Sequence, residues 1–195
     1  MTDDGPQEPP LGRADEAGGG FSALFERFWD STVADHVTDR QVVSIERHLC
    51  LLPGARIVVA PSGCGRLALA LAARGYAVRG VDRCSDAIER SSALAVQARL
   101  GVEFRFCPDL TCGDADCDGA IAIGTGLMSG AVAARLAAAL KPGARAIIEV
   151  GHDETASTLS QALDEAGLEP IGRHDEWDED SYAAPARSFL ICARA

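Results

Sequence analysis

Apolar residues recur along this chain in short bursts separated by turn residues. Phe21, Leu24, Phe25, Phe28 and Trp29 repeat at helical spacing. Val42, Ile45 and Leu49 mark a second helix that ends before Pro53-Gly54. From there the pattern alternates. Ile57–Ala60 predicts a strand, followed by the turn Pro61-Ser62-Gly63-Cys64-Gly65 and a helix over Arg66–Arg74 that Gly75 stops. Val78–Val81 predicts a strand ending at Asp82, and Ala87–Arg99 a helix capped by Ser85 or Asp86 and ended by Gly101. Strands are predicted at Val102–Cys107 and Ala120–Gly124, then a helix from a Ser129 cap to Leu140. Lys141-Pro142-Gly143 reads as a turn into a fifth strand, Ala146–Val150. A helix over Thr158–Ala166, closed by Gly167, precedes the last strands, Leu168–Gly172 and Ser188–Cys192.

Short apolar strands alternating with helices predict an α/β fold with a mostly parallel seven-stranded sheet and helices on both faces. No helix is predicted between the last two strands, so they pair antiparallel at an edge. Residues 1–20, rich in Gly, Pro, Asp and Glu, read as a disordered acidic tail. Residues 21–54 read as a helical lid, and residues 55–195 as the ligand-binding domain.

Composition narrows the class. The chain has 195 residues, 47% hydrophobic and 24% charged, as in ordinary globular proteins. No apolar run reaches the roughly 18 residues of a membrane span. The first residues lack the basic start and apolar stretch of a secretory signal. A formal charge of -11 argues against nucleic acid or an anionic membrane as partner. The charge is uneven: residues 55–148 sum to +3 and residues 149–195 to -8. The middle is thus suited to an anionic or zwitterionic ligand under an acidic rim. Seven cysteines, an odd number, without a secretion signal imply free thiols in a reducing cytoplasm. A cytoplasmic monomer or homodimer acting on a small molecule is the expectation.

The chemistry concentrates at the first turn. Glycines at 63 and 65, between a strand and a helix, let the backbone turn tightly and approach a ligand. The N–H groups of the first helical turn point toward that ligand. Asp82, at the end of the second strand, supplies a carboxylate for a ribose diol. No G-K-[ST] follows the glycines, so a Walker-type phosphate loop is excluded.

The stretch IVVAPSGCGRLALALAARGYAVRGVD resembles the first strand, glycine turn, small-residue helix and second strand of the class I S-adenosylmethionine-dependent methyltransferases. VEFRFCPDL resembles their third strand, DGAIAIGTGLM the fourth, LAAALKPGARAIIEV the helix, Pro-Gly turn and fifth strand, and LSQALDEAGLEPI the penultimate helix and strand. The likeness runs from about Phe21 to Ala195. The chain's length and its WDE…ARSFLICAR ending give a looser likeness to the small tellurite-resistance and thiopurine methyltransferases. The resemblance implies a Rossmann-like methyltransferase fold with S-adenosyl-L-methionine as cofactor. It implies that Ala60, Pro61, Gly63 and Gly65 line the methionine and ribose portion. Asp82 would hold the ribose hydroxyls, Arg83 flank the adenine, Asp109 face its amino group and Leu110 pack on its ring. Gly124 would present backbone near the methionyl end, and Trp29 would help cover the cofactor. Two positions depart from the family pattern. Val59 stands where an acid is usual, and Pro61, which has no backbone donor, where the first glycine is usual.

Methyl transfer is a direct displacement that requires alignment and exclusion of water. His152, after the fifth strand, and His174, before the last strand beside Asp175 and Glu176, are the candidate bases. His36 is a candidate lid residue. Cys107, Cys112 and Cys117 lie among acids at five-residue steps, which is not the spacing of structural zinc, and no metal site is expected. The alternative function is a methyltransferase-like fold repurposed for other chemistry or for non-catalytic binding.

Overall fold

The computed structural model describes residues 35–111, 113, 116–123, 130–150, 156–174 and 188–195. Five helices are described: α1 (Asp35–Leu49), α2 (Arg66–Ala73), α3 (Ser85–Ala98), α4 (Gly130–Ala139) and α5 (Ala156–Ala166). Seven strands are described: β1 (Arg56–Val59), β2 (Ala77–Asp82), β3 (Val102–Phe106), β4 (Cys117–Ala122), β5 (Leu140–Val150), β6 (Leu168–His174) and β7 (Ser188–Arg194). They form one sheet in the order β3-β2-β1-β4-β5-β7-β6. The first five strands in that order are parallel, and β7 runs antiparallel to both β5 and β6. This is the predicted architecture. The helix predicted over Phe21–Trp29 lies outside the described residues.

Side-chain alternation assigns the two faces. Val58, Ala120 and Ile148 point to one, where Leu136 of α4 and Leu163 of α5 cover them. Ile57, Val59, Ile121 and Ile147 point to the other, against Val42 and Ile45 of α1 and Leu67 and Leu71 of α2. Each fully buried Leu or Ile here stabilises by roughly 1.5–3 kcal/mol.

One corner is covered differently. The described residues between β3 and β4 form no helix. There Arg79, Glu103 and Arg105 stand on the sheet face, and a chain of ion pairs replaces an apolar layer. Arg79 pairs with Glu103 at 3.2 Å and Asp116 at 3.5 Å, Arg105 with Glu103 at 2.6 Å, and Arg56 with Asp116 at 2.9 Å.

Three boundaries differ from expectation. Lys141-Pro142-Gly143 is no turn between elements. Leu140 already pairs with Cys117, the register shifts, and pairing resumes at Arg145 opposite Gly119. The intervening residues bulge, with Gly143 at φ +76 and Lys141 tied to Asp118 at 2.6 Å. Helix α3 ends at Arg99, which takes the left-handed conformation at φ 57, two residues before Gly101. β4 begins three residues early, at Cys117, because that pairing with Leu140 extends it.

Candidate functional site

The turn after β1 is tied to two neighbouring strands, and the end of a third meets it at Asp82. The Ala60 N–H donates to the Ile121 carbonyl at 2.9 Å, which continues the pairing with β4. The Ser62 N–H donates to the Val81 carbonyl at 2.9 Å, which ties the turn to β2. The Gly63 N–H donates to Asp82 Oδ2 at 2.8 Å, and the Cys84 N–H donates to Asp82 Oδ1 at 2.8 Å. The Cys107 N–H donates to the Asp82 carbonyl at 2.7 Å, which brings the end of β3 to the same residue. Asp82 is therefore the hub of this edge, and it is only 1% exposed.

The two glycines do different work. Gly63 has φ +52, and a Cβ placed there would meet nothing within 4 Å. Its upper side is open to a ligand. Gly65 has φ +87, and a Cβ there would lie 2.8 Å from Phe104 Cζ and 2.9 Å from Ser91 Cβ. Its N–H donates to the Ser62 carbonyl at 3.0 Å. Gly65 thus permits close packing of helix on strand rather than approach of a ligand. The amides of 60, 62, 63 and 65 are all used within the protein.

Asp109 sits on the loop leaving β3, exposed. It accepts from Cys107 Sγ at 2.9 Å, from the Thr111 N–H at 3.2 Å and from Thr111 Oγ1 at 2.8 Å. Arg135 of α4 approaches at 3.6 Å. The Cys107 thiol, the Thr111 bonds and then Arg135 hold its carboxyl at about 2, so it stays ionised. Leu110, at φ 57, turns its side chain into the core with Ala60 and Val81 and is 2% exposed. It offers no ring-stacking surface in this arrangement, because the apolar side chain is held inside. Arg83 is exposed beside the hub, and Pro61 is half-buried at the turn's start. Cys64 packs with Cys84 and Ala87, and Arg90 Nη1 lies 3.8 Å from its sulfur.

The structure thus gathers Ala60, Pro61, Gly63, Gly65, Asp82, Arg83, Asp109 and Leu110 at one edge. It does not bring His174 there. β6 lies four strands from β1, about 19 Å at an interstrand spacing of ~4.8 Å. The His174 ring stacks on Phe189 at 5.3 Å and meets His48 at 4.4 Å. His152, Trp29 and Gly124 lie outside the described residues, as does the His36 side chain.

Several residues at this edge escaped sequence reading. Arg66 reaches across to Thr38 and Gln41 of α1, a contact invisible without the fold. The Ser62 hydroxyl is buried without a hydrogen-bond partner. Glu149 is a buried carboxylate in the apolar run Ala146–Val150 that ends β5, a signal the sequence did carry. Far from the turn, a cavity of about 600 Å³ lies at the opposite edge between the 49–55 segment and Lys141–Arg145. Its cations are already engaged, Lys141 by Asp118 and Arg145 by the His48 carbonyl.

No protein-family model matches the sequence, and no curated protein matches it. Solved structures match the fold. A TehB-like SAM-dependent methyltransferase from Corynebacterium glutamicum aligns with a TM-score of 0.72 and 18% identity over 90% of this chain and 98% of that one. The [4+2]-cyclase SpnF aligns with a TM-score of 0.66 and 17% identity over 82% and 81%. Geranyl diphosphate C-methyltransferase from Streptomyces coelicolor A3(2), in complex with Mg2+, geranyl diphosphate and S-adenosyl-L-homocysteine, aligns with a TM-score of 0.64 and 16% identity over 82% and 80%. The strand order, the antiparallel β7 and these alignments define a class I S-adenosylmethionine-dependent methyltransferase-like fold. Among the described residues no helix is long and apolar enough to cross a membrane.

Proposed function

We propose that the chain binds S-adenosyl-L-methionine at the carboxyl edge of β1–β3 and transfers its methyl group to a small-molecule acceptor. The observation that carries this reading is the seating of the Gly63 turn, the Asp82 carboxylate and the Asp109 loop around one point. Those residues suit the nucleoside half of the cofactor. Each Asp82 oxygen accepts one amide and retains a lone pair for a ribose hydroxyl. Asp109, ionised and exposed, accepts from an exocyclic amine. Gly63 leaves room for a ligand against its backbone. Because Asp82 is so enclosed, a ribose reaches it as the turn yields, which couples binding to the Gly63 backbone.

When bound, the cofactor supplies an electrophilic methyl group on a sulfonium. The chain's part is to orient it, exclude water and position the acceptor. The acceptor is small; of the two candidate bases, His174 stands four strands from β1 and His152 lies outside the described residues. The net charge of -11 disfavours a phosphate-rich acceptor.

A second reading has specific support. Val59 is a buried apolar residue and Pro61 has no N–H, so the methionine half finds neither a carboxylate at 59 nor a backbone donor at 61. The fold is also that of a protein named as a [4+2]-cyclase. In this reading the site holds the nucleoside without methyl transfer. Titration calorimetry with S-adenosylmethionine, S-adenosylhomocysteine and 5′-methylthioadenosine decides between them. Tight binding of the first two and weak binding of the third, with labelling of small acceptors, supports transfer. Equal binding of all three supports the second reading. No heat from any of them at millimolar concentration removes both.

A further inference from the structure

Arg66 opens α2 immediately after left-handed Gly65. A cation there runs against the helix dipole, whose N-terminal end is positive. The guanidinium is drawn sideways to α1. Its Nη1 donates to Thr38 Oγ1 at 3.0 Å and to Gln41 Oε1 at 2.8 Å. Thr38 and Gln41 are three residues apart and so share one face of α1, beside the inward row of Val42 and Ile45. Thr38 is itself buried, and Arg66 satisfies its oxygen. At the far end of the same helix pair, Glu46 accepts from Arg74 at 3.0 Å and from the Tyr76 hydroxyl at 3.1 Å. The helices are joined at both ends, but only the Arg66 join lies next to the turn.

We propose that Arg66 is a positioning residue that makes helix α1 part of the nucleoside-binding turn. The guanidinium fixes the first residue of α2 against α1. That residue is one peptide from Gly65, whose N–H is on the Ser62 carbonyl and whose carbonyl accepts from the Leu69 N–H at 2.8 Å. Seating Gly65 seats Gly63, and only then does the Gly63 N–H meet Asp82. Helix α1, packed on the sheet, thereby helps set the shape of the ligand's binding surface. Both bonds leave one nitrogen, Nη1, so a lysine ammonium can replace them in part but lacks the rigid guanidinium plane that aims them.

The ligand readout rests on the proposed function, whereas amide exchange does not. Both are measured on the full chain. The variants are Arg66→Ala, the double variant Thr38→Val/Gln41→Leu, which removes the acceptors and leaves Arg66 in place, Arg66→Lys, and Glu46→Gln as the control join. We expect Arg66→Ala and the double variant each to speed hydrogen exchange at the Gly63 amide by about tenfold or more. Each weakens S-adenosylmethionine and 5′-methylthioadenosine by the same factor, about five- to tenfold, and combining them adds nothing further. Arg66→Lys recovers part of the loss. Glu46→Gln lowers the melting temperature but leaves exchange at Gly63 and both affinities within about twofold. Equal loss for both ligands separates positioning from direct attraction of the methionine carboxylate, which 5′-methylthioadenosine lacks. Unchanged Gly63 exchange in both variants, a loss confined to S-adenosylmethionine, or an equal loss in Glu46→Gln overturns the proposal. If the unaltered chain binds neither ligand, the functional reading fails and the exchange comparison still decides this one. If Arg66→Ala does not fold, the double variant carries the test.

Discussion

Replacing Gly65 with alanine should damage the fold, whereas the same change at Gly63 should damage the ligand site. Both glycines have positive φ, so each alanine carries a left-handed penalty of about 1–2 kcal/mol. At Gly63 nothing further is added, because a Cβ there meets no atom within 4 Å. At Gly65 the new methyl lies 2.8 Å from Phe104 Cζ and 2.9 Å from Ser91 Cβ. The phenyl ring can rotate away at some cost, but Ser91 Cβ is fixed to the backbone of α3. Overpacking of this kind costs about 1–3 kcal/mol. Gly65→Ala should therefore lose about 2–5 kcal/mol in total and Gly63→Ala about 1–2 kcal/mol. For a chain of this size each kcal/mol lowers the melting temperature by about 2–4 °C. Urea unfolding gives the free energies and thermal melts the temperatures, with nucleoside titration on each variant. The reasoning is refuted if Gly63→Ala is as destabilising as Gly65→Ala, or if Gly65→Ala falls within about 1 kcal/mol of the unaltered chain.

Three further outcomes follow from the geometry. Burial, and then the neighbouring His174, hold the His48 imidazole below its usual value. Its contribution to stability is fully present above the unfolded value of ~6.5 and is lost as pH falls through the folded value, so urea midpoints between pH 5 and 7.5 should drop on acidification, less steeply in His48→Gln. Ser62→Ala removes a buried hydroxyl that has no partner and should be neutral or stabilising by up to about 1 kcal/mol in urea unfolding. Burial pushes the Cys117 and Cys192 thiols up to about 12, so at pH 8 an aromatic disulfide reagent should leave both unmodified until the chain unfolds, whereas exposed Cys50 reacts in the folded state.

The sheet and its order of elements were legible because each strand is a short apolar run bounded by turn residues and each helix repeats at its own period. The glycine turn and Asp82 were legible for the same reason: strand, turn, helix and strand follow one another without interruption. What escaped depends on contacts between distant segments. Leu140 pairs with Cys117 across the sheet, which turns an expected Pro-Gly turn into a bulge inside β5. Arg99 takes the left-handed cap that a glycine two residues on was expected to supply, a choice local propensity ranks the other way. His174 read as a candidate base because acidic neighbours favour its protonated form, but β6 is an edge strand and the ring lies against His48 and Phe189. Gly63 and Gly65 look equivalent in sequence. Only the positions of Phe104 and Ser91, in later elements of the chain, tell them apart.

The corner where ion pairs stand in for a helix gives β3 an uneven grip on the sheet. As an edge strand it has one hydrogen-bonded neighbour, and only Val102 and Phe104 anchor it to the apolar side. Its other side is held by charges in contact with water, each pair contributing about 0–1 kcal/mol and weakening as salt rises. β3 is therefore held mainly by its pairing with β2 and by Val102 and Phe104, and the ionic share of its grip falls as salt rises. When it peels away it carries the Cys107 N–H off the Asp82 carbonyl and takes the Asp109 loop with it. The core around Ile121 and Ile147 lies on other strands, so such a loss would stay local to the Asp82 edge. Salt should thus loosen the Asp82–Asp109 edge through charges on the outer face of β3 rather than at the turn itself.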